Sequence, residues 1–136
     1  MGQRALTNGI ALADVDGDGD LDLACGSLRD QTVVYLNEGG MFQVSPAWRS
    51  ALGQPAVQAV AFGDIDGDGY VELVCGGVGD GLMMFHNQAT GFASGPTWGS
   101  PPPGYSTAAV AAADVDKDGW PDLLLGNHRQ PAHLFH

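Results

Sequence analysis

Three stretches of the chain place carboxylates where they could hold a hard cation. They read Asp14-Val15-Asp16-Gly17-Asp18-Gly19-Asp20-Leu21-Asp22, Asp64-Ile65-Asp66-Gly67-Asp68-Gly69-Tyr70-Val71-Glu72 and Asp114-Val115-Asp116-Lys117-Asp118-Gly119-Trp120-Pro121-Asp122. Each has acids at loop positions 1, 3, 5 and 9 and Gly at position 6. Neighbouring residues of an extended chain point to opposite faces, so positions 1, 3 and 5 start on one side. Gly19, Gly69 and Gly119 then let the backbone turn back sharply, so that later ligands meet earlier ones. The ligands expected in the first loop are the carboxylates of Asp14, Asp16, Asp18 and Asp22 and the main-chain carbonyl of Asp20. The second loop offers Asp64, Asp66, Asp68 and Glu72, and the third Asp114, Asp116, Asp118 and Asp122. Position 7 in these two loops is Tyr70 and Trp120, which bring no carboxylate and would contribute a main-chain carbonyl.

Without a cation, such crowded carboxylates repel one another and some of their pKa values rise. With one, they are the right number of hard oxygens for Ca2+, one ion per loop and three per chain. Mg2+ prefers to keep several waters. Zinc favours Cys and His, and the loops contain neither. The helix–loop–helix calcium motif is excluded, because its bidentate Glu at position 12 is replaced by Cys25, Cys75 and Leu125. Asp and Gly are also turn formers, which would account for one such loop. Three in register favour the cage, with calcium a structural staple in each.

Charge follows the same pattern. The chain has 136 residues, 16 of them acidic and 5 basic, for a net charge of −11. Only Asp30, Glu38 and Asp80 lie outside the loops, so the acidity sits where cations can neutralise it. No basic patch serves a phosphate backbone, so nucleic acid is not an expected partner. No apolar run is long enough to span a membrane, and the first residues contain no signal-peptide hydrophobic stretch. Calcium loops of this strength point to an extracellular or cell-surface origin.

The elements that must position the loops repeat with them. A shift of 50 residues aligns the chain on itself without a gap. Ile10, Val60 and Val110 coincide, as do Leu23, Leu73 and Leu123, Gly26, Gly76 and Gly126, and Tyr35, Phe85 and Phe135. Cys25 and Cys75 take the place of Leu125, which reads as two free, buried thiols rather than a disulfide. Such a period is that of one four-stranded propeller blade.

Within a unit, Ile10–Val15 reads as a strand, followed by the acidic loop, the strand Leu21–Gly26 and the strand Thr32–Leu36. A turn at Asn37-Glu38-Gly39-Gly40 leads to a fourth, outer strand over Phe42–Trp48, broken by Pro46. The expected fold is therefore all-β. A single propeller-type domain covers 1–136, with blade 1 over 1–50, blade 2 over 51–100 and a partial blade 3 over 101–136 that lacks its outer strand. Three blades cannot close a ring, since propellers use four to eight. Two chains closing a six-bladed ring are the expected assembly; an excerpt of a longer propeller is the alternative.

Other residues have two readings. Trp48 and Trp98 recur on the outer strands and could stack on sugars, or pack between blades. The segment from Trp98 to Tyr105, rich in proline, could be a binding loop or a stiff linker. His86, His128, His133 and His136 match no zinc spacing. With the loop acids assigned to cages, no catalytic set remains and no enzyme is expected.

The acidic loops, together with Val34-Tyr35-Leu36-Asn37, Met84-Phe85-His86-Asn87 and a Phe opening each outer strand, resemble the FG-GAP/VCBS repeat family, whose calcium-loop blades also occur in integrin α-subunit propellers. Only Phe62-Gly63 matches the Phe-Gly of the family name, and Lys117 and Pro121 depart from the loop pattern. The resemblance implies a β-propeller, most often seven-bladed, that is extracellular, non-enzymatic and used in adhesion or ligand binding. Some related propellers are lectins. The function expected is thus a calcium-stabilised scaffold for adhesion or protein binding. Carbohydrate binding, or a propeller fragment with no independent function, are the alternatives.

Overall fold

The computed structural model describes residues 7–51, 56–78, 81–88, 91–93, 95–99, 106–129 and 131–135. Among them the chain is all strand and turn, with no helix. The first repeat contributes β1 (Thr7–Ala13), β2 (Asp22–Ser27), β3 (Val33–Tyr35), β4 (Asn37–Glu38), β5 (Met41–Phe42) and β6 (Trp48–Arg49). The second contributes β7 (Val57–Gly63), β8 (Glu72–Gly77), β9 (Gly81–Phe85), β10 (Asn87–Gln88), β11 (Gly91–Phe92) and β12 (Trp98–Gly99). The third contributes β13 (Thr107–Ala113), β14 (Asp122–Asn127) and β15 (His133–Phe135).

Three antiparallel sheets result. Their orders are β1-β2-β3-β6, β12-β9-β8-β7 and β13-β14-β15. The 50-residue register extends to irregularities: Thr7 pairs with Ser27 and Gly9 with Gly26, so Asn8 is bulged out, and Gln58 and Ala108 are bulged identically. A bulge strengthens the local twist.

The fourth strand differs from its sequence reading. Phe42–Trp48 is not one outer strand. Met41–Phe42 folds back on Asn37–Glu38 as a separate small hairpin, and only Trp48–Arg49 reaches the sheet, pairing with Val33 and Val34. Asn87–Gln88 and Gly91–Phe92 repeat this arrangement. Pro46 and Pro96 explain the break, since proline has no N–H for a ladder. The first strand is also shifted: it runs from Thr7 to Ala13 and ends before the acidic loop. Residues 100–105 of the proline-rich segment, the first six residues and His136 lie outside the described ones.

The core lies between sheets, not within them. Val15, Ala24, Val34, Val57, Val60, Leu73, Cys75, Met83 and Phe85 form one cluster, joining the first sheet to the second. Val74, Leu82, Leu123 and Leu125 form another, joining the second to the third. Leu73 and Val74 are neighbours on β8, point to opposite faces and are both completely buried. The middle sheet is therefore covered on both faces. Each end sheet has one open face: Ile10 and Leu12 are exposed on the first, Leu124 and Leu134 on the third.

Small residues let the leading strands approach. A Cβ on Gly9 would lie 3.0 Å from the Ala59 Cα, and one on Gly76 would lie 2.8 Å from the Thr107 side chain. Both cysteines are free; Cys75 is buried and Cys25 half-buried. Burial pushes the Cys75 thiol up to about 12, so it remains a neutral core side chain.

Candidate metal centres

Each acidic loop joins the first and second strands of its sheet, at the same end every time. Its shape follows from carboxylates capping backbone N–H groups. In the first loop Asp14 Oδ1 accepts from Gly17 N at 2.8 Å and Asp18 N at 3.1 Å, while Asp14 Oδ2 accepts from Gly19 N at 2.9 Å. Asp16 Oδ1 accepts from Asp18 N, and Asp18 Oδ1 from Asp20 N. The second and third loops repeat the bonds from Gly69 N to Asp64 and from Gly119 N to Asp114, at 3.0 and 2.9 Å. Gly19, Gly69 and Gly119 adopt φ of 93°, 93° and 94°, a left-handed conformation open to glycine at little cost.

Position 4 needs the same conformation. Gly17 and Gly67 supply it at φ 80° and 74°, but Lys117 must adopt φ 64° with a Cβ. The third loop thus carries strain that the others lack. Trp120 lies over the second loop: a Cβ on Gly67 would come within 2.4 Å of its ring. The second and third loops are in contact.

The acid at position 9 has a role that spacing did not reveal. Asp22, Glu72 and Asp122 are all buried, and each accepts from the N–H of position 2 (Val15, Ile65 and Val115) at 2.8, 2.8 and 2.9 Å. In the first loop Asp22 Oδ1 also accepts from Asn37 N at 2.8 Å. Position 9 therefore braces the loop shut. Asp20 is likewise engaged through its side chain, which accepts from Gly39 N at 2.9 Å.

Held in this way by the backbone, several carboxylates converge. Ligand atoms of Asp14, Asp16 and Asp18 lie within 4.8 Å of one another, as do those of Asp114, Asp116 and Asp122. The corresponding group in the second loop is Asp66, Asp68, Glu72 and His86. His86 is a site residue that histidine spacing missed. It is brought in by β9, whose end lies beside the loop, and the repeat register was the signal, since it puts residue 86 where Leu36 stands in the first unit.

The electrostatics are those of crowded, partly desolvated carboxylates. Backbone N–H bonds, led by that of Gly19, hold Asp14 below the usual carboxylate range. Desolvation pushes Asp16 up, helped by Asp22 and Asp18. Desolvation also pushes Glu72 up, with Asp66 and Asp68 adding repulsion. Asp64 Oδ1 and Glu72 Oε1 are buried oxygens that accept no hydrogen bond. Buried anionic oxygens of this kind are costly unless a cation meets them. Among the described residues the groups of the first and third loops are all-oxygen, and Asp14, Asp16 and Asp18, and Asp114, Asp116 and Asp122, could hold a metal ion.

Trp48 is packed at the seam between the first two sheets, whereas Trp98 is exposed and touches Phe135 across to the third. Trp48 meets Phe85 edge-on at 5.1 Å and Phe92 at 5.5 Å; Trp98 meets Phe135 at 6.2 Å. Beside Trp48 a cleft of about 230 Å³ is lined by Asp16, Asn87 and Phe92 among others.

A family model described as an FG-GAP-like repeat matches residues 14–75 and again 64–125, each match running from one acidic loop through the next. No curated protein matches the chain.

Proposed function

Because the chain belongs to the FG-GAP-like repeat family, we propose that it is a non-catalytic, calcium-stabilised β-propeller module that offers a surface for adhesion or protein binding. The carrying observation is the double role of the acids inside each loop. The carboxylates close each loop on its own backbone, and the same side chains bring ligand atoms together within 4.8 Å. Acids used in this way build and brace the fold, and the role left to the ion is structural. Extracellular placement accords with the reading, since FG-GAP repeats occur generally in extracellular proteins. No helix among the described residues is long and apolar enough to cross a membrane.

The same reading gives the chain a partner of its own kind. The open face of the first sheet bears Ile10 and Leu12; their counterparts Val60 and Phe62 pack against the first sheet in the middle of the chain. The open face of the third sheet bears Leu124, whose counterpart Val74 is buried against the third sheet. The two open faces thus correspond to the two sides of one existing seam. A second copy can join head to tail at both and close a six-bladed ring.

Light scattering with and without calcium tests the reading. Twice the mass of one chain in calcium is expected. A stable monomer in calcium would sink ring closure. Unchanged mass and unchanged melting on chelation would sink the structural role of the ion.

Carbohydrate binding is favoured by one observation. The Trp48 Nε1 is buried without a hydrogen-bond partner beside the cleft that Asp16 and Asn87 line. A sugar hydroxyl could accept from it. A glycan array, repeated with Trp48→Phe to delete the donor, separates this reading from the first.

A further inference from the structure

The three loops share one pattern, yet the second has a different donor set. His86 Nδ1 lies 3.2 Å from Asp66 Oδ2 and 3.3 Å from Glu72 Oε1, and its Nε2 lies 3.9 Å from Asp68 Oδ2. Two ligands of one tetrahedral zinc ion stand about 3.4 Å apart, given metal–ligand bonds of roughly 2.1 Å. Asp66, Glu72 and the His86 Nδ1 are therefore spaced to share a single ion, and Asp68 offers an oxygen within 4.8 Å of the same group. An independent observation also points to a ligand. The Glu72 side chain is fully buried, and its Oε1, 3.3 Å from the His86 Nδ1, has no hydrogen-bond partner. Leu36 stands at the position of His86 in the first repeat, so that loop has no nitrogen donor there.

We propose that Asp66, Asp68, Glu72 and His86 form a mixed nitrogen–oxygen site that takes a divalent transition cation, Zn2+ being the best match, in preference to Ca2+. The convergence within 4.8 Å allows one shared ion, and the nitrogen selects its kind. Calcium takes oxygen ligands, whereas imidazole suits zinc and its neighbours in the first transition row. Three carboxylates with one imidazole complete a four-coordinate set. The chain would then hold two classes of metal on one scaffold, a hard cage in the first loop and a borderline site in the second; the equivalent position of the third repeat is His136, which lies outside the described residues. The proposal rests on the reading of the loops as metal sites, but not on calcium occupying the other two.

The test is isothermal titration of the full chain with Zn2+ and, separately, with Ca2+, for the unmodified protein, His86→Leu and His86→Gln. Nitrogen-15 NMR of the unmodified protein follows the His86 imidazole in parallel. One Zn2+ is expected to bind at least tenfold more tightly than Ca2+ does at the same loop. Both variants should lose at least tenfold in Zn2+ affinity, and His86→Gln, which substitutes an oxygen donor, should gain Ca2+. The Nδ1 resonance should shift on Zn2+ addition and not on Ca2+ addition. Zn2+ isotherms that are the same in all three proteins, or an unmoved Nδ1 resonance at saturating Zn2+, would overturn the proposal. Tighter binding of both metals by His86→Leu would also overturn it, by making His86 a counter-ion that blocks the loop. Failure of Ca2+ to bind anywhere would count against the calcium reading alone.

Discussion

The side-chain amide of Asn87 donates to the Val15 carbonyl at 3.0 Å, a bond that spans 72 residues and ties the second repeat to the acidic loop of the first. Asn87 is 1% exposed, and Val15 belongs to the core between the first two sheets. Asn37, its counterpart, donates instead to Leu21 in its own repeat, near the surface. Equivalent residues thus do different work, because only Asn87 has a preceding sheet to bond to.

Asn87→Ala is accordingly expected to cost about 1–3 kcal/mol, since it strands a buried carbonyl. Asn37→Ala should cost about 1 kcal/mol or less. Urea unfolding midpoints measure both. Equal losses would mean that the inter-repeat bond has no special weight.

Lys117→Gly should stabilise the chain by about 1 kcal/mol, because it relieves a left-handed residue with a Cβ. Gly67→Ala should do the opposite and by more, because the new methyl also collides with Trp120. Thermal melts of both variants, with Trp120→Ala added to the second, check this. Trp120→Ala should recover part of the Gly67→Ala loss but not the backbone component.

Glu72 gives a pH dependence whose sign can be worked out. In the metal-free chain, burial raises its folded pKa above the ordinary 4.5. The charged form is therefore disfavoured by folding. Its destabilisation is complete above the folded pKa and disappears as pH falls to the ordinary carboxylate range. With EDTA, Glu72→Gln should melt higher than the unmodified chain at pH 7, and the gap should close by about pH 4. Asp14 has the opposite sign: its lowered pKa contributes stability above its ordinary 3.8 that is lost in stronger acid. A Glu72→Gln advantage that did not vary with pH would contradict the assignment to charge burial.

Chelation should lower the melting temperature. Affinities typical of extracellular calcium modules, about 10⁻⁴–10⁻³ M, give roughly 0.4–1.4 kcal/mol per site in about millimolar calcium. Differential scanning calorimetry in calcium and in EDTA measures the sum. Aspartate-to-asparagine changes at Asp16 and Asp116 should each remove part of it.

The sequence by itself determined the repeat, the all-strand character and the composition of the loops. These are local or periodic properties: Asp14, Asp16 and Asp18 are close in space because they are close along the chain, and Gly19 is required wherever the backbone reverses with positive φ. The alignment of Cys75 with Leu125 likewise identified a core position, and Cys75 is indeed buried. Tertiary structure decided what crosses between elements. The reach of His86 from β9 into the second loop depends on how β8 and β9 pair, as does the seat of Trp48 between Phe85 and Phe92 on how the sheets stack. The split of Phe42–Trp48 into a hairpin and a two-residue strand followed from proline removing a donor and from Asn37–Glu38 offering a nearer partner. Spacing places the acids in each loop, but which of them converge differs: positions 1, 3 and 5 in the first, 3, 5 and 9 in the second, and 1, 3 and 9 in the third. Which histidine lies above them is set by sheet geometry, because the carboxylates and the imidazole are joined through hydrogen-bond registers rather than through adjacent peptide bonds.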